Sequence, residues 1–453
     1  MRATHALVVL ATLALLAGAH AVAPTTAEIE AIRCELFTQI DESTAAGPGQ
    51  QPMLATIVRL SFHDCVGGCD GFIDTEQHGN EGLAATVTAV DDLYASHGVE
   101  MGKADFYALV GTLATLKAAD NQCAVTAPMP TIPLFFGRAS ATTTNDVALP
   151  NPHNGIEEVT GVLATMFGFS VREAIAIMGA HTLGRAHAAA SGFTGPWTTR
   201  PHTLDNDYYR ELNPRWKAAT TGVAGKDSFR SFWRRENGGP DNGLMLNVDI
   251  ALQRLISPLA SGAVTECPGN PVTNCALCPD NHRQCPFQDA VAANGDTVAE
   301  IADEFASDNA AFMLAFGSAY AKMVQNPAGA PETLTEVAYT LPANDGTCQW
   351  AVPDECCQGP PGPGPEHGGK GKGSVGKGKG KGKRAVEITP SSSTDTASRR
   401  EVYQADREVQ AQQSQAGGAM QRLQARKDTS KTVSARDAGC AGTISVPMLG
   451  ICF

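Results

Sequence analysis

The sequence predicts an all-α domain followed by an extension of different character. Three observations carry that expectation. Apolar residues recur at helical spacing in segment after segment between residues 26 and 325. Gly-, Pro- and Asn-rich stretches separate those segments. Strand-like alternation is scarce. In chain order the helical segments are Met53–Asp64, Lys103–Ala119, Ile156–Met166, Val171–His181, Leu246–Leu255 and Thr297–Val324.

The flanking regions read differently. Residues 1–21 carry Arg2, an apolar run from Ala6 to Ala17 and small residues at Ala19 and Ala21, the pattern of a signal peptide. A membrane anchor fits less well, because a span needs about 20 apolar residues, and no other segment is long enough. The globular domain is expected over 26–325, and a Cys-containing connector over 326–358. A disordered linker follows over 359–398, where Gly359–Pro365 is Pro/Gly-rich and Lys370 to Arg384 alternates cations with glycine. Residues 399–453 combine a polar stretch able to form a solvated helix with an apolar, Cys-containing end. The chain has 453 residues, enough for one large domain with appendages. Its 43% hydrophobic content can fill a core, and a formal charge of −13 argues against nucleic acid as a partner.

The densest chemistry lies in Arg59-Leu60-Ser61-Phe62-His63-Asp64-Cys65. Arg59 and His63 are four apart and project from one helix face. An imidazole there can carry a proton between two oxygens, and a permanent guanidinium can stabilise negative charge as an O–O bond breaks. Taken alone, such a pair is more often structural.

The surrounding residues resemble the distal helix of the plant, fungal and bacterial haem peroxidase superfamily. That resemblance implies His63 as distal acid/base, Arg59 as distal arginine and Phe62 as the aromatic over the haem. Phe at this place is the habit of the secreted branches. Asn80-Glu81-Gly82-Leu83 resembles the segment whose Asn accepts a hydrogen bond from the distal His, which implies that role for Asn80.

A second run, Ile177-Met178-Gly179-Ala180-His181-Thr182-Leu183-Gly184-Arg185, continues through His187, Ser191-Gly192-Phe193-Thr194-Gly195-Pro196-Trp197-Thr198 and Leu204-Asp205-Asn206-Asp207-Tyr208-Tyr209. It resembles ascorbate peroxidases. The resemblance implies His181 as iron ligand and Trp197 as the indole stacked beneath haem b. It also implies Pro150 and His187 as cofactor-binding residues. Leu246-Asn247-Val248-Asp249-Ile250-Ala251-Leu252 resembles the helix supplying the carboxylate that fixes the ligand histidine, here Asp249; such a partner makes the imidazole more electron-donating. The implied fold is helices sandwiching haem b, over residues 26–325.

The sequence also departs from the family. Ala190 and Gln51 stand where ascorbate peroxidases carry the Arg and Lys that hold ascorbate, so phenols or amines are the expected donors. The resemblance implies calcium ligands at Asp64, Asp70, Thr182, Thr198 and Asp205. Phe72 and Arg200 occupy places where further ligands are expected, and Arg200 supplies a charge able to replace a cation. Cys65 and Cys69, separated by Val66-Gly67-Gly68, resemble a tight disulfide of plant secretory peroxidases, one residue shorter. Cys34 and Cys123 form a second candidate pair. Cys267, Cys275, Cys278 and Cys285 suit disulfides or zinc, with disulfides favoured in a secreted chain.

The expected function is therefore a secreted haem peroxidase that reduces hydrogen peroxide and oxidises a small organic electron donor. Its Lys-Gly tail is expected to be a solvated spacer, with docking onto an acidic extracellular polymer as the alternative. The alternative is an idle peroxidase scaffold serving as an extracellular matrix protein. A relic of that kind is expected to have lost Arg59, His63, His181 or Asp249, and all four are present.

Overall fold

The structure, a computed structural model, describes residues 23–45, 53–97, 100–122, 128–143, 147–221, 230–235, 243–258, 264–266, 285–325 and 334–341. Gln51, Cys123, the residue 1–21 segment, the Cys267–Cys278 cluster and the expected linker and tail over 359–453 lie outside the described residues. Eleven α-helices are described: α1 (Thr26–Ala45), α2 (Met53–Cys65), α3 (Ala84–His97), α4 (Lys103–Asp120), α5 (Ala164–Phe167), α6 (Val171–Ile177), α7 (Ala188–Ser191), α8 (Asp207–Glu211), α9 (Asn247–Ile250), α10 (Val298–Ser307) and α11 (Asn309–Val324).

α2 and α4 form the centre. Every residue of α4 from Ala104 to Ala119 is buried, as is every residue of α2 from Leu54 to Cys65. Helices buried on all sides belong inside a core, and these two pack extensively on each other. Gly111 makes the approach possible, because a Cβ there would lie 2.4 Å from that of Ser61. By contrast α3 buries only Thr86, Val90 and Leu93, a stripe at helical spacing on an otherwise solvated helix.

Several expected helices end differently from their sequence patterns. The segment from Val171 stays α-helical to Ile177 and then tightens into a 3₁₀ turn over Met178–Thr182 that carries His181. Gly179 sits in that turn under Phe312, where a Cβ would come within 2.4 Å of the ring. The segment from Ile156 widens into a π-helix over Glu158–Leu163 before α5. The Leu246–Leu255 expectation shrinks to α9 followed by turns. The long Thr297–Val324 pattern breaks at Asp308, whose extended backbone and side-chain bonds to the amides of Ala310 and Ala311 start α11 afresh.

The all-α expectation holds in its main feature, and short strands add to it. β1 (Leu134–Phe136) pairs antiparallel with β9 (Thr335–Val337), the last of the described strands. β2 (Arg185–Ala186) pairs with β3 (Gly195–Pro196). β4 (Trp216–Thr221), β5 (Arg230–Arg235) and β6 (Leu244–Met245) form a three-stranded sheet, and β7 (Ser257–Pro258) pairs with β8 (Val264–Glu266). The β1–β9 pair corrects the domain boundary expected at Gln325. The chain returns to satisfy the edge of β1, so residues 335–337 belong to the folded unit. No single helix among the described residues is long and apolar enough to cross a membrane.

Candidate active site

Two histidines sit on separate elements around the helical core. On α2, Arg59 and His63 are both buried, and Arg59 Nε donates to His63 Nε2 across 3.3 Å. The Arg59 guanidinium also donates to the carbonyl of Glu81 (3.0 Å) and that of Gly79 (2.7 Å), which fixes its place against the loop. The same loop presents Asn80. Its Oδ1 lies 2.7 Å from His63 Nδ1, and its Nδ2 donates to the Asp74 carbonyl (2.8 Å). An amide oxygen can only accept, so Nδ1 carries the proton and Nε2 is the basic nitrogen. The three residues named on this side from the sequence therefore form one connected set.

The second set is built by three returns of the chain. The 3₁₀ turn presents His181. The β2–β3 hairpin brings Trp197 back onto it, stacked at 4.7 Å between ring centroids, with Thr198 Oγ1 bonded to the Thr182 carbonyl (2.9 Å). β6 leads into α9 and Asp249, held by Trp233 Nε1 to Asn247 Oδ1 (2.9 Å) and Asn247 Nδ2 to the His153 carbonyl (2.8 Å). Asp249 accepts from His181 Nδ1 (2.6 Å), Trp197 Nε1 (2.9 Å), the Tyr208 hydroxyl (2.7 Å) and the Leu246 amide (2.6 Å). Burial opposes its charge, but His181 and these donors outweigh that and hold the carboxyl below its ordinary range. Burial and the adjacent Asp249 push the Tyr208 hydroxyl well above its own.

An apolar pocket lies against both elements, lined by Val58 and Phe62 of α2 and by Ile177, Met178 and His181, with Pro150 beside them. His63 and Asn80 border a second, polar pocket with Asp74 and Leu149. The residues fit a large apolar cofactor carrying a metal. A buried imidazole faces an apolar space, and its Nδ1 is committed to a carboxylate, so Nε2 is the nitrogen that would meet the metal. His187 stands apart from this lining. It stands half-buried at the residue preceding α7, and burial together with Arg185 lowers its pKa.

The residues expected to hold calcium divide into two groups. Asp64 and Asp70 are both buried. Asp64 Oδ1 accepts from the Gly71 amide (2.7 Å), and Asp64 Oδ2 has no hydrogen-bond partner among the described residues. Burial, with Asp70 adding to it, raises the Asp64 pKa well above the ordinary range. In the second group, Thr182 Oγ1 bonds the Asp205 carbonyl (3.0 Å), and Arg200 pairs with the carboxylates of Asp205 and Asp207. The guanidinium thus neutralises these two carboxylates. Among the described residues no three His, Cys, Asp or Glu side chains gather as a metal site. Cys65 and Cys69 form a disulfide. Cys34 and Cys285 are also disulfide-bonded, and the proposed pairing of Cys34 with Cys123 lies outside the described residues.

Sequence reasoning did not assign Tyr208 a role, although it stands within the run that resembles ascorbate peroxidases. Glu158, Tyr320 and Met323 also line the apolar cavity and were not named.

The fold and the two histidine sets define a mainly helical domain that encloses an apolar cofactor space beside a buried histidine–aspartate pair. The peroxidase family matches residues 32–308, more than half of the chain, and the chain belongs to that family. Its relatives include a peroxisomal L-ascorbate peroxidase 5 of Arabidopsis thaliana, 34% identical over 41% of this chain and 64% of the relative. A mitochondrial cytochrome c peroxidase of Neurospora crassa is 32% identical over 43% of this chain and 56% of the relative. L-ascorbate peroxidase 3 of Arabidopsis thaliana is 34% identical over 34% of this chain and 55% of the relative. The chain thus matches between half and two-thirds of these relatives' length.

Proposed function

We propose that the chain is a haem peroxidase that reduces hydrogen peroxide and takes single electrons from small organic donors, phenols or amines. The observation that carries this is the pair of buried sets, Arg59–His63–Asn80 and His181–Asp249–Trp197, with Phe62 and His181 lining one apolar cavity. Haem b would be held through His181 in the space that Phe62 and Pro150 also line, and would supply the iron for peroxide chemistry. His63 Nε2 accepts the proton of the inner peroxide oxygen and returns it to the outer one, which leaves as water. Asn80 keeps Nε2 basic while this happens. Arg59 stabilises the negative charge that grows on the departing oxygen.

Relatives are named for ascorbate and for cytochrome c. Ala190 and Gln51 favour phenols or amines over ascorbate here, because both cationic partners of an ascorbate anion are replaced. Calcium is not required by this reading: Phe72 stands where a further ligand beside Asp64 and Asp70 is expected, and Arg200 pairs with Asp205. The apolar run at Ala6–Ala17 and the Cys65–Cys69 disulfide support secretion. The Lys-Gly stretch over Lys370–Arg384 suits an acidic extracellular polymer.

The test is the full chain supplied with haem. The expected result is a Soret band and peroxide-dependent oxidation of guaiacol, with His181→Ala losing the band or binding haem loosely. A normal histidine-ligated spectrum in that variant would overturn the assignment.

A further inference from the structure

Four donors close on the Asp249 carboxylate, and they divide evenly between its oxygens. Oδ2 accepts from the Trp197 indole and the Leu246 amide, at 2.9 and 2.6 Å. Oδ1 accepts from His181 Nδ1 and from the Tyr208 hydroxyl, at 2.6 and 2.7 Å. The proposed reaction leaves the last bond unexplained, since orienting His181 requires no second donor on that oxygen.

Two donors on one oxygen compete for its electron density. A carboxylate that shares its charge with a phenol draws less strongly on the imidazole proton, and a less polarised imidazole donates less to a metal. Tyr208 is fixed for this contact. It is fully buried on α8, with its ring edge-on to His181 at 5.8 Å and packed against Tyr209 at 5.0 Å. Tyr209 is itself anchored by its hydroxyl to the carbonyls of Ile175 and Ala176.

Resting on the haem reading above, we infer that Tyr208 is a positioning residue that restrains electron donation by His181. It takes part of the Asp249 Oδ1 charge, so the iron reduction potential sits higher than the His181–Asp249 pair alone would set it.

The experiment is a spectroelectrochemical titration of the full chain reconstituted with haem, with resonance Raman spectra of the ferrous form. Tyr208→Phe removes only the hydroxyl. The ferric state should gain about tenfold over the ferrous, a fall of about 59 mV in midpoint for one electron. The iron–histidine stretching band should move to higher frequency. Tyr209→Phe loses a hydroxyl that does not touch Asp249 and should move neither readout. Equal midpoints for the parent and Tyr208→Phe, or equal shifts in both variants, overturn the inference. Should Tyr208→Phe not fold, 3-fluorotyrosine placed at position 208 keeps the shape and donates more strongly, so the midpoint should rise; an unmoved or lowered value overturns the inference. A parent chain without haem absorbance overturns the haem reading and this inference together. An unmoved midpoint with haem in place overturns the inference alone.

Discussion

His63 Nδ1 and Asn80 Oδ1 stand 2.7 Å apart, joining a core helix to a loop 17 residues further along the chain. The contact chooses the tautomer of His63. Without the amide oxygen only the longer donation from Arg59 Nε, at 3.3 Å, favours that tautomer, and part of the population presents the wrong nitrogen to peroxide. Asn80→Val should therefore slow the peroxide-dependent change in haem absorbance by roughly tenfold, less than the 10²–10⁴-fold typical of a lost acid/base group for His63→Ala. Stopped-flow mixing with peroxide measures both. Rates matching the parent in both variants would remove the acid/base role from His63.

The two sets were unequally legible in the sequence, for physical reasons. Arg59 and His63 are four apart on one helix, so local spacing alone puts them on one face. Asp249 is 68 residues from His181 and reaches it through a sheet and a four-residue helix. Only the resemblance, not periodicity, pointed to it. Tyr208 and Arg200 were both visible as residues, yet Arg200 alone drew a role, because it replaces an expected ligand. What Tyr208 does depends on which carboxylate oxygen it meets, and no spacing encodes that. The boundary at Gln325 was misplaced because β9 is three residues long and partners a strand about 200 positions earlier, which leaves no local periodicity to read.

Donor choice follows from Ala190, in α7 nine residues after His181. Guaiacol-like phenols should exceed ascorbate in kcat/KM for the parent. Ala190→Arg restores one cation and should raise kcat/KM for ascorbate by roughly tenfold, the scale of one hydrogen bond to a charged group. Phenol turnover should stay unchanged. Steady-state kinetics with both donors decides this, and a parent that prefers ascorbate refutes it.

Glu173 ties the His181 element to α11. It completes a capping box with Ser170 at the start of α6, and its carboxylate accepts from Ser318 Oγ (2.7 Å) and Lys322 Nζ (2.6 Å) of α11. Burial opposes its charge, but Lys322, Ser170 and Ser318 prevail and lower its pKa to about 2. A folded value below the ordinary one stabilises above pH 4.5, and that contribution is lost as pH falls toward 2. Glu173→Ala should cost about 1–2 kcal/mol near neutrality, the scale of a lost cap. The difference should shrink as pH drops toward 2. Urea unfolding at several pH values tests this, and a pH-independent difference would show that the charge is not what stabilises.

Arg200 and Asp205 give the opposite pH dependence. Burial, with Asp207 adding to it, raises the Asp205 pKa to about 6, and Arg200 pulls against both. A folded value above the ordinary 3.8 means that the folded chain holds the proton more tightly. Stability from this group is therefore greatest at low pH and falls as pH rises through about 6. Arg200→Ala removes the counter-charge and leaves two neighbouring carboxylates with less to neutralise them. It should cost about 1–3 kcal/mol at pH 7, less than a fully buried pair because Arg200 is partly exposed. The gap between variant and parent in Tm should narrow at pH 4.5, where Asp205 is protonated in both. If the guanidinium stands in for a cation, added calcium should recover part of the variant's Tm and leave the parent's second site unaffected. Calcium that raises both equally, with no narrowing at low pH, would show that Arg200 is only a surface partner of Asp207.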